Sequence, residues 1–154
     1  MKIIWKSGRD NSRTPMQWNR EMNGGFSTGT PWLKVNPNYT EINVEAELKN
    51  PESIFHYYKK LIELRRGNQT LIYGSYKLIL EEHDEIFAYL RTSKEQTYVI
   101  LTNLFGHNAE VEPPKKLVGK QGKLLLSNYE MELGVETFDA MTFRPYEARV
   151  YQIV

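Results

Sequence analysis

From Leu71 to the end of the sequence, apolar residues recur at every second position in short runs that are separated by polar or glycine-containing turns. A period of two is that of a β-strand, because successive side chains point to opposite faces of a sheet. No helical pattern lies between the runs, so consecutive hairpins are expected, and with them an antiparallel sandwich or barrel of Greek-key type over residues 68–154. The predicted strands are residues 76–80, 86–92, 98–102, 123–126 and 146–154.

An amphipathic helix is predicted just before the strands, over about residues 51–66. Asn50-Pro51 has the composition of a helix start, and Gly67 that of a helix end. Asn43 is predicted to cap a shorter helical turn that follows it. The residues that fall on one face of the longer helix are Ile54, Phe55, Tyr58, Leu61, Ile62 and Arg65. Such an apolar face requires a partner surface.

The first forty residues have neither a helical nor a strand period, and they are rich in glycine and proline. A loop of this length in a compact domain is functional or disordered. Aromatic residues favour an ordered loop that packs against a larger surface, because disordered segments are poor in them. Trp18 and Trp32 are interpreted as anchors of this loop.

The composition excludes several kinds of function. The 154 residues include 20 basic and 19 acidic side chains, so no strong field attracts nucleic acid or an anionic membrane. The sequence has no cysteine and no apolar run long enough to span a membrane. Its three histidines are far apart, so neither a metal site nor a cofactor is expected. A cytoplasmic location is expected.

A resemblance to a known family rests on eight segments: Gly8–Trp18, Gly25–Gly29, Pro31–Trp32, Val35–Tyr39, Ser53–Arg65, Tyr73–Tyr76, Ile86–Tyr89 and Arg144–Ala148. Together they resemble the α-glucosidase branch of glycoside hydrolase family 13, which includes oligo-1,6-glucosidases, dextran glucosidases and trehalose-6-phosphate hydrolases. The resemblance implies a (β/α)8 barrel followed by a β-sandwich, of which this chain resembles only the last quarter. The expected fold is therefore mainly β, with a long ordered loop and the last barrel helix in residues 1–67, and an antiparallel Greek-key β-sandwich in residues 68–154.

Retaining glycoside hydrolysis requires two carboxylates about 5 to 5.5 Å apart. In the resembling family, the nucleophile, the acid/base and the third carboxylate belong to earlier barrel strands. No catalytic residue is therefore expected in residues 1–154, and the chain alone is expected to be inactive. The resemblance implies the carboxyl-terminal fragment of an enzyme that acts on short α-glucosides, with a structural role for the fragment itself.

Arg9 and Asp10 are the predicted substrate-binding residues. The resemblance implies that Arg9 reaches the glucose ring in the deepest subsite, and its planar guanidinium suits the binding of sugar hydroxyls and a carboxylate. From the residues alone, Arg9 could instead form a salt bridge that ties the loop. Asp10-Asn11-Ser12 could form a turn through side chain to backbone hydrogen bonds.

Two alternative functions remain open. The chain could be a non-catalytic carbohydrate-binding module that uses Trp18, Trp32 and tyrosines as stacking platforms, which a coplanar row of exposed aromatic rings would favour. It could also be an assembly partner that completes a separate catalytic chain. In this second alternative the chain could equally pair with itself through the helix face of Phe55, Tyr58 and Ile62.

Overall fold

The computed structural model describes residues 10–154, apart from the side chain of Asn11. The chain divides into two compact units, Met1–Lys60 and Leu61–Val154. The described part of the first unit contains three 3₁₀ turns, at Asp10–Ser12, Met22–Gly25 and Pro37–Thr40. These turns are joined by irregular segments, as the absence of a period in this region predicts.

Backbone hydrogen bonds hold the long loop of the first unit together. Gly24 O accepts from the backbone nitrogens of Trp18 and Asn19, at 2.7 and 3.1 Å. Gly24 has a φ of 66°, in the left-handed region that favours glycine, and a Cβ there would lie 3.3 Å from Gln17 Cα. Gln17 O accepts from Val44 N at 2.9 Å. The segment around Gln17 is thereby joined to the start of the first α-helix.

The first α-helix, α1, is Val44–Lys49, and its cap is the predicted one. Asn43 Oδ1 accepts from Ala46 N at 2.9 Å, while Asn43 Nδ2 donates to Tyr39 O at 2.8 Å. Both hydrogen bonds are needed, because Asn43 is buried and an unpaired amide would be unfavourable there. The sequence therefore located the start of α1 correctly.

The longer helix, α2, is Ile54–Arg66 and begins three residues later than predicted. Asn50 does not start this helix, because its side chain accepts from Glu52 N at 3.0 Å in a separate turn. The hydroxyl of Ser53 donates to Glu47 O at 2.7 Å and accepts from His56 N at 3.4 Å. A third helix, α3, is Gln69–Tyr73, and the side chain of Asn68 caps it by accepting from Leu71 N at 3.0 Å.

The second unit contains eight β-strands in two sheets. The larger sheet has the order β1-β2-β3-β8-β5-β6, the smaller one pairs β4 with β7, and every pairing is antiparallel. The predicted class, mainly β with antiparallel strands, is confirmed. The strands are β1 Ser75–Ile79, β2 Ile86–Thr92, β3 Thr97–Asn103, β4 Ala109–Val111, β5 Gln121–Ser127, β6 Val135–Thr137, β7 Met141–Phe143 and β8 Ala148–Ile153.

One buried cluster forms the core of the second unit. It combines side chains of the large sheet with side chains of the small sheet and of the connecting loops, so one face of the large sheet is buried. Gly122 on β5 belongs to this packing, since a Cβ there would lie 2.4 Å from Phe138 Cε2. The cluster is Ile86, Ala88, Val99, Leu101, Ala109, Val111, Leu117, Leu124, Phe138, Phe143 and Tyr151.

Candidate functional site

The two predicted substrate-binding residues lie where the described structure begins. Arg9 lies outside the described residues, so its contact with a sugar stays a prediction. Asp10 is exposed at the start of the first 3₁₀ turn. A backbone hydrogen bond of 3.0 Å from Arg13 N to Asp10 O closes this turn.

The two loop tryptophans have different environments. The backbone of Trp18 is held at both ends, by Gly24 O and by Glu45 N, while its side chain is 48% exposed. Trp32 is 81% exposed and lines an open depression of about 500 Å³ together with Met22 and Tyr39. Most of the Trp32 side chain is thus exposed, and its interpretation as a loop anchor stays a prediction.

A buried charge cluster lies at the start of β8, in the second unit. Its centre is Glu147, whose side chain is completely buried. Glu147 Oε1 accepts from Arg144 Nη2 at 3.0 Å and from Arg149 Nε at 2.9 Å. Glu147 Oε2 accepts from the backbone nitrogen and from Nε of Arg144, at 2.7 and 3.2 Å. Each carboxylate oxygen of Glu147 therefore accepts two hydrogen bonds.

These contacts determine the charge of Glu147. Burial raises the pKa of the carboxyl, but the hydrogen bonds from Arg144 and Arg149 outweigh burial and lower the pKa to about 2. Glu147 is therefore ionised at neutral pH and offers no free lone pair to a substrate. A carboxylate in this state does not act as a general acid, and its geometry excludes attack on a sugar.

The cluster extends from Glu147 into the core of the second unit. Arg149 stacks on the ring of Phe143 at 4.3 Å and donates to Thr142 O at 2.9 Å. Tyr151 donates from its hydroxyl to Glu136 Oε2 at 3.2 Å. Burial raises the pKa of the Tyr151 hydroxyl to about 12. The arrangement joins β8 to β6 and β7 and is structural in character.

A second set of side-chain contacts, outside the charge cluster, stabilises the turn that precedes β8. The guanidinium of Arg144 lies 4.0 Å from the ring centroid of Tyr129, and the Tyr129 hydroxyl donates to Pro145 O at 2.7 Å. The sequence indicated Arg144–Ala148 only as part of the family resemblance, which does not predict this role. A sequence signal existed only for the charge cluster, in the placement of Glu147 and Arg149 two residues apart, which puts both on one side of an extended segment.

The histidines of the described residues do not converge. His56 Nε2 lies 3.1 Å from Leu48 O, His83 Nε2 lies 3.0 Å from Glu110 O, and His107 Nε2 lies 2.5 Å from Glu85 Oε1. In residues 10–154, no three potential metal ligands come together. No helix in the same range has the length and apolarity that crossing a membrane requires.

Comparison with known proteins gives two family matches that cover consecutive parts of the chain. Residues 1–74 match the model of the alpha amylase catalytic domain, and residues 76–150 match that of the maltogenic amylase C-terminal domain. The oligo-1,6-glucosidase of Halalkalibacterium halodurans is 52% identical over 98% of this chain, and that of Bacillus cereus is 46% identical over 99%. The chain spans only 27% of the length of each of these relatives.

Solved structures agree with the sequence matches. The crystal structure of trehalose-6-phosphate hydrolase from Bacillus licheniformis superposes with a TM-score of 0.89 at 42% identity, covering 99% of this chain and 28% of that one. The trehalulose synthase MutB from Pseudomonas mesoacidophila superposes with a TM-score of 0.85 at 32% identity, over 95% of this chain and 26% of that one. The chain therefore matches the end of an alpha amylase catalytic domain followed by a maltogenic amylase C-terminal domain, and over nearly its whole length it is similar to oligo-1,6-glucosidases and trehalose-6-phosphate hydrolases.

Proposed function

We propose that the chain forms the carboxyl-terminal part of an α-glucosidase that hydrolyses short α-glucosides with retention of configuration. The observation that carries this proposal is the pair of adjoining matches, a catalytic-domain segment over residues 1–74 followed directly by a C-terminal domain over residues 76–150. The relatives at 46 to 52% identity that bear the name oligo-1,6-glucosidase support short α-glucosides as the substrates. A cytoplasmic location is part of the same proposal.

Within such an enzyme, the proposed role of this chain is structural. Glu147 is the one fully buried carboxylate among the described residues, and both of its oxygens are occupied by arginine donors. We place the boundary between barrel remnant and sandwich after Gly67, because α2 is one uninterrupted helix up to Arg66. The buried charges join β8 to β6 and β7, which supports a structural role for the sandwich.

A chimera tests this proposal. The part of the Halalkalibacterium halodurans oligo-1,6-glucosidase that this chain does not match would be joined ahead of the complete chain. We expect the chimera to release glucose from isomaltose and the isolated chain to release none. Glucose release by the isolated chain would overturn the structural role, and an inactive but folded chimera would count against the α-glucosidase proposal.

Substrate binding by Arg9 and Asp10 is also a proposal. It is supported by the resemblance of the surrounding motif and by the exposure of Asp10, which leaves its carboxylate open to a ligand. α-Glucoside sugars are the proposed ligands in the intact enzyme. Neither residue is proposed to take part in the bond cleavage itself.

Self-association through α2 is a second candidate function. Phe55, Tyr58 and Ile62 are 44, 63 and 55% exposed, so the helix face that the sequence predicted to need a partner has none within the described residues. Burying such a face is favourable by about 25 cal/mol per Å². The molar mass of the chain, measured by light scattering over a range of concentrations, tests self-association. A monomer at all concentrations would argue against it.

The carbohydrate-binding alternative gains no support from the aromatic geometry. A flat stacking platform needs coplanar rings, whereas Tyr76 and Tyr89 are tilted by 34° and Phe87 and Tyr89 by 52°. These rings contact each other instead of lying side by side in a plane.

A further inference from the structure

The turn between β1 and β2, residues 80–85, has a strained backbone, and we call it the β1–β2 turn. Leu80 at its start has a φ of 57°, in the left-handed region that residues with a side chain rarely adopt. A hydrogen bond of 3.0 Å from His83 N to Leu80 O closes the turn. A backbone conformation of this kind persists only where surrounding contacts hold it. The side chain of His83 supplies such contacts.

Both ring nitrogens of His83 take part in hydrogen bonds. Nδ1 accepts from the backbone nitrogens of Glu85 and Ile86, at 3.2 and 3.1 Å. A backbone nitrogen can only donate, so Nδ1 carries no proton, and the proton of the neutral ring lies on Nε2. Nε2 lies 3.0 Å from Glu110 O on β4 and donates to it. These contacts therefore require the neutral form of His83, in one defined tautomer.

A second proton on the ring is incompatible with the same contacts. Protonation of Nδ1 turns the acceptor into a donor, which then faces two other donors, the backbone N–H groups of Glu85 and Ile86. Ile86 is only 3% exposed, and a backbone group that loses its acceptor in such a place is costly. Histidine is the side chain that gains this proton between about pH 8 and about pH 5. The positively charged ring therefore favours a different conformation of the turn.

The charged groups near the turn do not restore the lost acceptor. Carboxylates can compensate the positive charge that His83 gains, but the proton still occupies Nδ1. His107 Nε2 lies 2.5 Å from Glu85 Oε1, so a positively charged His107 strengthens an ion pair at the same turn. The two histidines thus respond to acid in opposite directions. The charged and titratable side chains of the turn and of the segment that it contacts, residues 104–112, are Glu81, Glu82, His83, Asp84, Glu85, His107, Glu110 and Glu112.

We propose that His83 is a pH-dependent switch, which holds the β1–β2 turn on β4 when the ring is neutral and releases it when the ring is positively charged. Release affects the core, because Ile86 belongs to the buried cluster and Ile79 and Leu80 pack against it. All of these residues lie in the second unit, so the switch does not depend on the proposed α-glucosidase activity. Mild acid is the signal to which it responds.

Amide hydrogen exchange, followed by NMR on the complete chain, tests the switch. The protection factor of an amide compares its exchange rate with that of an unstructured peptide at the same pH. From about pH 8 to about pH 5, the protection of Glu85 N and Ile86 N should fall at least about tenfold, in step with proton uptake by the His83 ring. The amide of Leu101, on the interior strand β3, is the reference and should keep its protection.

His83→Asn separates the hydrogen bonds of the ring from its charge. The side-chain oxygen of asparagine can accept from backbone nitrogens a few residues later, as Asn68 does from Leu71 N in this chain. Asparagine gains no charge in acid, so the protection of the turn in this variant should not change with pH. His107→Gln is the matched control, because it removes the other histidine near the turn and should keep the decline of the unchanged chain.

Three results would overturn the switch. The first is constant protection of Glu85 N and Ile86 N in the unchanged chain while the His83 ring takes up its proton. The second is the same decline in His83→Asn as in the unchanged chain. The third is loss of the decline in His107→Gln, which would assign the response to the pair of His107 and Glu85. The first result needs no variant, so it decides the matter even if a variant fails to fold.

Discussion

The Glu147 carboxylate accepts a hydrogen bond from Arg149 Nε at 2.9 Å, and both side chains are buried. Arg144 Nη2 donates to the same carboxylate at 3.0 Å, so one carboxylate is paired with two guanidinium groups. Replacing a buried ion pair with apolar residues is often harmless, but removing one partner leaves the others unpaired. The contribution of Glu147 to stability is therefore best seen when it alone is changed.

Glu147→Gln should destabilise the protein by about 3 kcal/mol, because it leaves two guanidinium groups facing a neutral amide. The free energy of unfolding, measured in urea at pH 7, checks this expectation. Glu130→Gln is the control, since Glu130 is exposed in the same unit and its change should stay within about 0.5 kcal/mol. Equal effects of both substitutions would contradict the role given to the cluster.

The stability should fall in acid because of the same carboxyl group. The folded-state pKa of Glu147, about 2, lies below the ordinary value of 4.5, so its contribution is complete above pH 4.5 and is lost as the pH falls from there toward 2. Urea unfolding at a series of pH values between 5 and 2 measures this loss. The free energy of unfolding should decline less steeply with falling pH in Glu147→Gln than in the unchanged protein. An identical decline in both proteins would contradict the contribution assigned to Glu147.

The Tyr151 hydroxyl should make the protein sensitive to alkali. Burial raises its pKa from 10 to about 12, so the neutral form is favoured in the folded state and its contribution is lost as the pH rises from 10 through 12. Tyr151→Phe should lose about 1 kcal/mol at pH 7, since the hydrogen bond to Glu136 is removed. In an ultraviolet titration of the tyrosinates, this variant should lack the last group to ionise. A full set of late-titrating tyrosines in the variant would contradict the prediction.

Gly122→Ala should destabilise the sandwich by about 1 to 3 kcal/mol, because the new methyl group overlaps the Phe138 ring in a packed core. Thermal unfolding of the isolated chain measures the effect. Gly134→Ala provides the matched control, since a Cβ at Gly134 meets no atom within 4 Å. Equal melting temperatures of the two variants would contradict the close contact between Gly122 on β5 and the Phe138 ring.

Arg9→Lys in the chimera should lower kcat/KM for isomaltose by about 10- to 100-fold, because lysine cannot reproduce the fork of donors that holds hydroxyl and carboxylate groups. Arg66→Lys, at the exposed end of α2, should leave kcat/KM unchanged. Steady-state kinetics of the two variants side by side make the comparison. An unchanged kcat/KM for Arg9→Lys would favour the alternative role of a loop-tying salt bridge.

Strand length determined how much of the fold could be predicted from the sequence. The five strands of five or more residues were predicted, whereas β4, β6 and β7 have three residues each, too few for an alternating pattern to be recognised. The predicted strand at 146–154 began too early, because Tyr146 has a φ of 55° and Glu147 N donates to Arg144 O within a turn. The helix α3 was missed for a similar reason, since five residues do not complete two helical turns.

The candidate sites were less predictable than the strands. The Asn43 cap depends on neighbouring residues and was read correctly from the sequence, but the surroundings of Glu147 depend on partners that only the fold brings together. Arg149 meets Thr142 and Phe143 because β8 and β7 approach in space, and no periodic pattern encodes that approach. The exposure of Trp32 likewise depends on which surfaces lie nearby, which its glycine- and proline-rich context does not specify.

The position of β8 has a consequence for how the protein folds during synthesis. This strand lies between β3 and β5 in the large sheet, although it is the last of the eight strands to be made. Until β8 has left the ribosome, β3 and β5 each present an unpaired edge of the kind that promotes aggregation. Assembly of the large sheet therefore cannot precede the synthesis of β8, and loss of β8 would leave two half-sheets without the strand that joins them.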